Sequence, residues 1–132
     1  MRYITIGRHK FTDKQVQLLE KVGLTEEVER VVKLEDINSV VQKARENNAV
    51  ILVQALPMHI LAQLLNSAQR QGIEVYAFKI EAVATVPIDH KCPSDCDIEI
   101  PDPRSNNKRC SKTVALQRLK RIVVEAEDVA TL

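Results

Sequence analysis

Ala49-Val50-Ile51-Leu52-Val53 is the segment that most limits what this chain can become. Five apolar residues in a row leave no polar face for water, so the run suits a strand covered on both sides, as in a parallel sheet. The flanking residues supply the cover. Ile37, Val40, Val41 and Ala44 repeat at i, i+3, i+4 and i+7, the spacing of an amphipathic helix, with Asp36 placed to cap it and Asn47-Asn48 marking its exit. Beyond the strand, Pro57 suits a first helical turn, Ile60, Leu61, Leu64, Leu65 and Ala68 form a second apolar stripe, and Gly72 closes it.

The same alternation extends in both directions. Arg2 to Ile6 is a β-branched and aromatic run stopped by Gly7. Thr12 and Gln15 have capping-box spacing, Phe11 and Val16 that of a hydrophobic staple, and Val16, Leu19 and Val22 share a helical face that Gly23 ends. Strands are expected at about Glu29–Leu34 and at Ile73–Ile80. The order β-α-β-α-β-α-β predicts an α/β domain, a small open, mostly parallel sheet flanked by helices. With 132 residues, one domain is expected, with residues 1–86 as its core. Residues 87–132 read as an irregular extension holding four of the five prolines and all three cysteines. Asp97 to Ile100 alternates like a strand. From Lys112 onward Leu119, Ile122, Val123 and Ala126 favour a terminal helix, although Ile122-Val123-Val124 also fits a strand.

Composition narrows the function. Aromatic residues make up 3% of the chain, with no Trp, which disfavours base-stacking platforms. No G-x-G-x-x-G or P-loop pattern is present, so dinucleotide oxidoreductases and P-loop NTPases are disfavoured. No apolar run approaches the roughly 18 residues that cross a bilayer, and Met1–Ile6 lacks the features of a signal peptide. A cytoplasmic protein without membrane contact is expected, its cysteines being reduced thiols or metal ligands and not a disulfide framework. Net charge is +1, yet Pro103 to Val124 holds Arg104, Lys108, Arg109, Lys112, Arg118, Lys120 and Arg121 and no acid. That segment is either a solvated face balanced by acids elsewhere or a surface for nucleic acid or an acidic partner.

Ligands of open α/β sheets bind outside the carboxyl ends of the strands, where helix N-termini also favour anions. The residues there are Arg8, His9 and Lys10 after the first strand, Gln54 and His59 after the third, and Lys79 near the end of the fourth. Cations and imidazoles around one crevice suit a phosphate-bearing ligand. Each residue also has a plainer role: solvated loop side chains for Arg8, His9 and Lys10, a surface position for His59 and Lys79, and a backbone partner for Gln54. A second constellation, His90, Cys92, Cys96 and Cys110, has the donor types of a structural zinc site, although its irregular spacing also suits free thiols in a polar loop.

The first 85 residues resemble the small CRISPR-associated ring nucleases with a CARF-like Rossmann fold. Arg8-His9 and Leu56-Pro57 are similar to paired motifs of one branch. Phe11-Thr12-Asp13-Lys14-Gln15, Val22-Gly23, Val50-Ile51-Leu52-Val53-Gln54 and Val75-Tyr76-Ala77 are similar to segments of another. Ala55-Leu56-Pro57 and Phe78-Lys79 depart from that second branch, which has a small-residue turn at the first and threonines with an arginine at the second. The resemblance implies an antiviral-defence protein that binds cyclic oligoadenylate, and metal-independent cleavage of the ring by its own ribose 2′-hydroxyls. Arg8 and Lys10 would stabilise phosphorane charge, Gln54 and Lys79 would contact the ligand, and His9 or His59 would move the proton, since an ordinary imidazole titrates near about pH 6.5. It further implies a homodimer sharing one symmetric ligand and no required cofactor. From a different class, the chain reads as a non-catalytic module that meets nucleic acid or a protein through residues 103–124, with structural zinc as a further alternative.

Overall fold

In the computed structural model, which describes residues 1–123 and 125–132, six strands join in one sheet between and beside three helices. The elements are β1 (Arg2–Ile6), α1 (Asp13–Lys21), β2 (Glu26–Val31), α2 (Ile37–Glu46), β3 (Ala49–Val53), α3 (Met58–Arg70), β4 (Val75–Pro87), β5 (Ile98–Pro101) and β6 (Asn107–Leu119). Strand order is β2-β1-β3-β4-β6-β5. The first four strands are parallel neighbours, while β6 runs antiparallel to both β4 and β5. The sheet is therefore mixed, and the expectation of a mostly parallel one is corrected.

β3 lies at the centre of the parallel part, as its apolar run requires. Ile51 and Val53 face one way with Ile4 and Ile6, packed against Val40, Val41 and Ala44 of α2 and Leu64, Leu65 and Ala68 of α3. Leu52 faces the other way, with Tyr3, against Leu19 of α1 and Leu24. Each fully buried Leu or Ile contributes about 1.5–3 kcal/mol relative to leaving it in water. That is why helices are needed on both faces.

The helix signals hold in detail. Thr12 and Gln15 form the capping box of α1, and Asp36 accepts from the Ser39 amide to cap α2. Pro57 stands one step outside α3, at its N-cap. The inward face of α1 is rotated from the one its apolar spacing suggests. Gln15 and Leu19 are buried while Val16 and Val22 are exposed, because Gln15 has polar partners inside.

The larger correction concerns residues 87–119. β4 runs on to Pro87, seven residues past its expected end, and pairs along its length with β6. The expected terminal helix from Lys112 is instead the second half of β6, and residues 120–123 and 125–132 carry neither helix nor strand. β4 supplies a long open edge with free N–H and C=O groups. An antiparallel strand satisfies those groups, and a helix would leave them bare. The Pro- and Cys-containing stretch is thus built into the sheet.

Gly7 shows how tightly the first loop is fitted. Its φ is +141°, and an added Cβ would stand 2.2 Å from Gln54 Oε1 and 2.7 Å from Gln54 Cβ. Gly7→Ala should therefore cost about 1–3 kcal/mol, read as a lower urea midpoint with an unchanged m-value.

Candidate functional site

The strand order reverses between β1 and β3. β1 leads through α1 to β2 on one side, and β3 leads through α3 to β4 on the other. The loops leaving β1 and β3 must then diverge to opposite faces, and a crevice opens where they part. The two loops are joined by Gln54. Its Oε1 accepts the His9 amide at 2.8 Å, and its Nε2 donates to the His9 carbonyl at 2.5 Å. The β1 and β3 loops are indeed together, but both amide ends of Gln54 are spent on backbone. Gln54 acts as a clamp, the backbone-partner role that was one of the two expected for it, while still lining the crevice.

A crevice of about 390 Å³ opens beside this clamp. His9, Lys10 and Gln54 form one polar rim, Phe78, Ile80, Ile98 and Ile100 supply an apolar wall from β4 and β5, and the Asp97 and Glu99 carboxylates also line the crevice on the β5 side. Lys79 occupies the alternate position between Phe78 and Ile80 and is paired with Glu81 at 3.9 Å; successive strand residues face opposite sides, so it does not line the crevice. Arg8 and His59 are exposed and do not line it either. Of the expected site residues, His9 and Lys10 are brought to the crevice with their side chains uncommitted to other partners among the described residues. Arg8, His59 and Lys79 are set apart from it.

Two residues that sequence reasoning passed over organise the site. Arg30 of β2 donates to the His9 carbonyl at 2.7 Å, reaches Glu27 through Nε and Nη2 at 3.2 Å each, and lies 4.9 Å from the centroid of the Phe11 ring. Asp97, at the entry to β5, accepts from the Thr12 hydroxyl at 2.5 Å, the Thr113 amide at 2.7 Å and the Thr113 hydroxyl at 2.8 Å. Gln15 Nε2 completes the knot by donating to the Thr113 hydroxyl at 3.2 Å. Burial alone would raise the Asp97 carboxyl, but these three hydrogen bonds outweigh it and hold its pKa below the ordinary carboxylate value. A carboxylate of the chain's own thus stands at the first turn of α1, where the helix dipole favours negative charge. No sequence pattern marks either residue, since both depend on which strands become neighbours.

The cysteine constellation is also corrected. Cys92 and Cys110 are joined as a disulfide, and Cys96 alone is a free thiol. A sulfur bonded to sulfur offers no thiolate, so the expected zinc set of His90, Cys92, Cys96 and Cys110 is not assembled, nor are all three cysteines reduced. His90 is exposed beside Asp89, 3.9 Å away. Among the described residues no group of three or more His, Cys, Asp and Glu side chains is arranged to hold a metal ion.

The basic segment lies along β6 and just beyond it. Lys108, Lys112 and Arg118 are paired with Glu99, Asp95 and Glu74 at 2.6, 3.6 and 3.7 Å. Three of its seven cations are thus answered within the fold among the described residues.

No family model, curated protein or solved structure matches the chain. No helix among the described residues is long and apolar enough to cross a membrane.

The depressed Asp97 carboxyl fixes a pH dependence. A group whose folded pKa lies below its unfolded value contributes stability above the unfolded value, near pH 4, and loses it as pH falls through the folded one. Wild type should lose thermal stability faster than Asp97→Asn as pH falls from about 4 toward 2.5. At pH 7 the variant should be less stable by about 1.5–3 kcal/mol, the scale of a hydrogen bond to a charged group. Thermal melts across that range check both statements.

Proposed function

We propose that the protein binds a cyclic oligonucleotide, such as a cyclic oligoadenylate, or a related nucleotide, in the crevice at the β1–β3 divergence. The observation that carries this reading is the division of the crevice into a polar rim with the His9 imidazole and the Lys10 ammonium and an apolar wall of Phe78, Ile80, Ile98 and Ile100, the Asp97 and Glu99 carboxylates lying on the β5 side. A nucleotide has the matching division. Its phosphate is favoured beside the Lys10 ammonium, and its base keeps apolar surface exposed to water unless it packs on a wall of this kind. The volume of about 390 Å³ falls within the range of roughly 300–1,000 Å³ typical of small-ligand pockets. It suits one nucleotide unit, so a ring with two-fold symmetry would be shared by two copies of the chain.

In this reading His9 and Lys10 flank the phosphate. Cleavage, where it occurs, needs no metal: a ribose 2′-oxygen attacks its own phosphorus as the P–O5′ bond breaks. His9 takes the 2′-proton, the departing O5′ takes a proton from water to become a 5′-hydroxyl, and Lys10 faces the charge that gathers on the phosphorane. Asp97 keeps α1's first turn negative, so the phosphate is drawn to Lys10 in preference to that helix end. A ligand of this type places the protein in the cytoplasm, where antiviral nucleotide messengers are made. The interaction-module reading, built on residues 103–124, loses support because three of the seven cations there are already ion-paired.

Thermal shift with cyclic tetra- and hexa-adenylate tests the proposal. One ring at saturating concentration should raise the melting temperature, and Lys10→Ala should weaken its binding about fivefold or more, the lower range for a charge-assisted contact at a partly solvated site. No stabilisation by either ring, with no cleavage on chromatography, removes the proposal.

A further inference from the structure

We propose that the Cys92–Cys110 disulfide is a reducible strap that holds the β5 wall of the crevice in place, and that a dithiol reductant releases it. The strap's mechanical role stands without any ligand; its effect on binding rests on the reading above.

The two cysteines join very different places. Cys110 is fully buried in β6, opposite Ala84 of β4 and Glu99 of β5. Cys92 sits in the connection from β4 to β5, 18 positions earlier in the chain, with its Cα 5.7 Å from that of Cys110. That connection has little else to hold it. Ile88 to Lys91 and Pro93 to Asp95 are exposed, so they bury almost no apolar surface. Two of its backbone hydrogen bonds are local, from His90 to Pro87 and from Cys96 to Pro93. Its remaining ties are the Ile88 amide to Asn106, Lys14 to the Asp95 carbonyl, and the Lys112–Asp95 ion pair at 3.6 Å. Surface ties of this kind hold weakly. The disulfide is the one covalent bond across the gap.

What the strap holds is the far wall of the crevice. Directly after the connection, the Asp97 amide donates to Ser111 at 3.1 Å and the Asp97 carboxylate joins Thr12 to Thr113. β5 follows with only four residues and one neighbour, β6, and Ile98 and Ile100 from it line the crevice. A four-residue edge strand has few bonds of its own and opens at low free energy unless its ends are tied. Cutting the strap removes the covalent tie at its N-terminal side and leaves the Asp97 hydrogen bonds to hold that side.

The chemistry closes with a dithiol as co-reactant. One thiolate of the dithiol attacks a sulfur of the pair, and the second displaces the resulting mixed disulfide. Two electrons and two protons pass to Cys92 and Cys110 as thiols, and the dithiol leaves as a cyclic disulfide. Cys96 does not short-circuit the strap. Burial first, and the neighbouring Asp95 carboxylate second, push its thiol up from the ordinary cysteine value, so at neutral pH it is protonated and a poor nucleophile. In reducing compartments the disulfides that do form are mostly transient or redox-sensing, which is the behaviour assigned to this one.

Hydrogen–deuterium exchange on the full chain, oxidised and after dithiothreitol, tests the strap, with thiols counted by alkylation and mass. The count should rise from one to three. Exchange across residues 93–101 and at the Thr113 amide should quicken about tenfold or more, while β1, β3 and α3 change less than twofold. Cys92→Ser should show the fast pattern without reductant, and Cys96→Ser should respond to reductant as wild type does. Unchanged exchange at 93–101 once three thiols are counted overturns the proposal, as does finding three free thiols in protein oxidised in air. Titrating cyclic tetra-adenylate into both forms separates the two readings. Absence of binding in either form counts against the ligand alone, and the exchange pattern judges the strap by itself.

Discussion

Everything in this molecule is arranged around a strand that water cannot touch. Ile51, Leu52 and Val53 are each at most 3% exposed, and adjacent residues of β3 point to opposite sides of the sheet. Both faces must then be covered, α2 and α3 on one and α1 on the other. A chain that places consecutive helices on opposite faces has to move outward from its first strand in two directions. The divergence of the β1 and β3 loops, and with it the crevice, is a geometric consequence of burying that strand. Function, in this account, uses a gap that core packing has already made.

Once the gap exists, polar groups decide what it can hold. Gln54 spends its amide on the His9 backbone, and Arg30 holds the same loop from the other side, so the rim is fixed without engaging the His9 and Lys10 side chains. Asp97 does the corresponding work across the crevice by tying α1, β6 and the start of β5. A partly buried carboxylate is costly unless its lone pairs are satisfied, and here three hydrogen bonds converge on it. The two rims are therefore held by networks of different character: amide and guanidinium groups on the β1–β3 side, a charge-assisted knot and a covalent bond on the β5 side.

What could be read from the amino-acid order was the part governed by local physics. The apolar run at 49–53, the capping box at Thr12 and Gln15, the Asp36 cap and the glycines after α1 and α3 each act over a few residues, and each is found where its chemistry requires. That the loops after β1 and β3 would meet was an expectation from ligand placement in open α/β sheets, but the strand order β2-β1-β3 that brings His9 beside Gln54 is set by long-range pairing. The rest depends on long-range pairing. Leu119, Ile122, Val123 and Ala126 keep helical spacing, yet Leu119 pairs with Val75 in the sheet because β4 offers an edge that only another strand can satisfy. That pairing sets Cys110 under the loop bearing Cys92 and Thr113 beside Asp97. Neither the disulfide nor the carboxylate knot has a signature in residue spacing. Lys79 lies outside the crevice for a related reason, since its position in β4, between the lining Phe78 and Ile80, depends on the register of that strand.

The central claim is that a nucleotide lodges between the His9–Lys10 rim and the β5 wall. Backbone amide NMR of the oxidised protein, titrated with cyclic tetra-adenylate, addresses it most directly. The account predicts shift changes concentrated at Gly7–Thr12, Gln54–Ala55 and Ile98–Ile100. Changes gathered instead along residues 103–124, or none at all at saturating ligand, would contradict it.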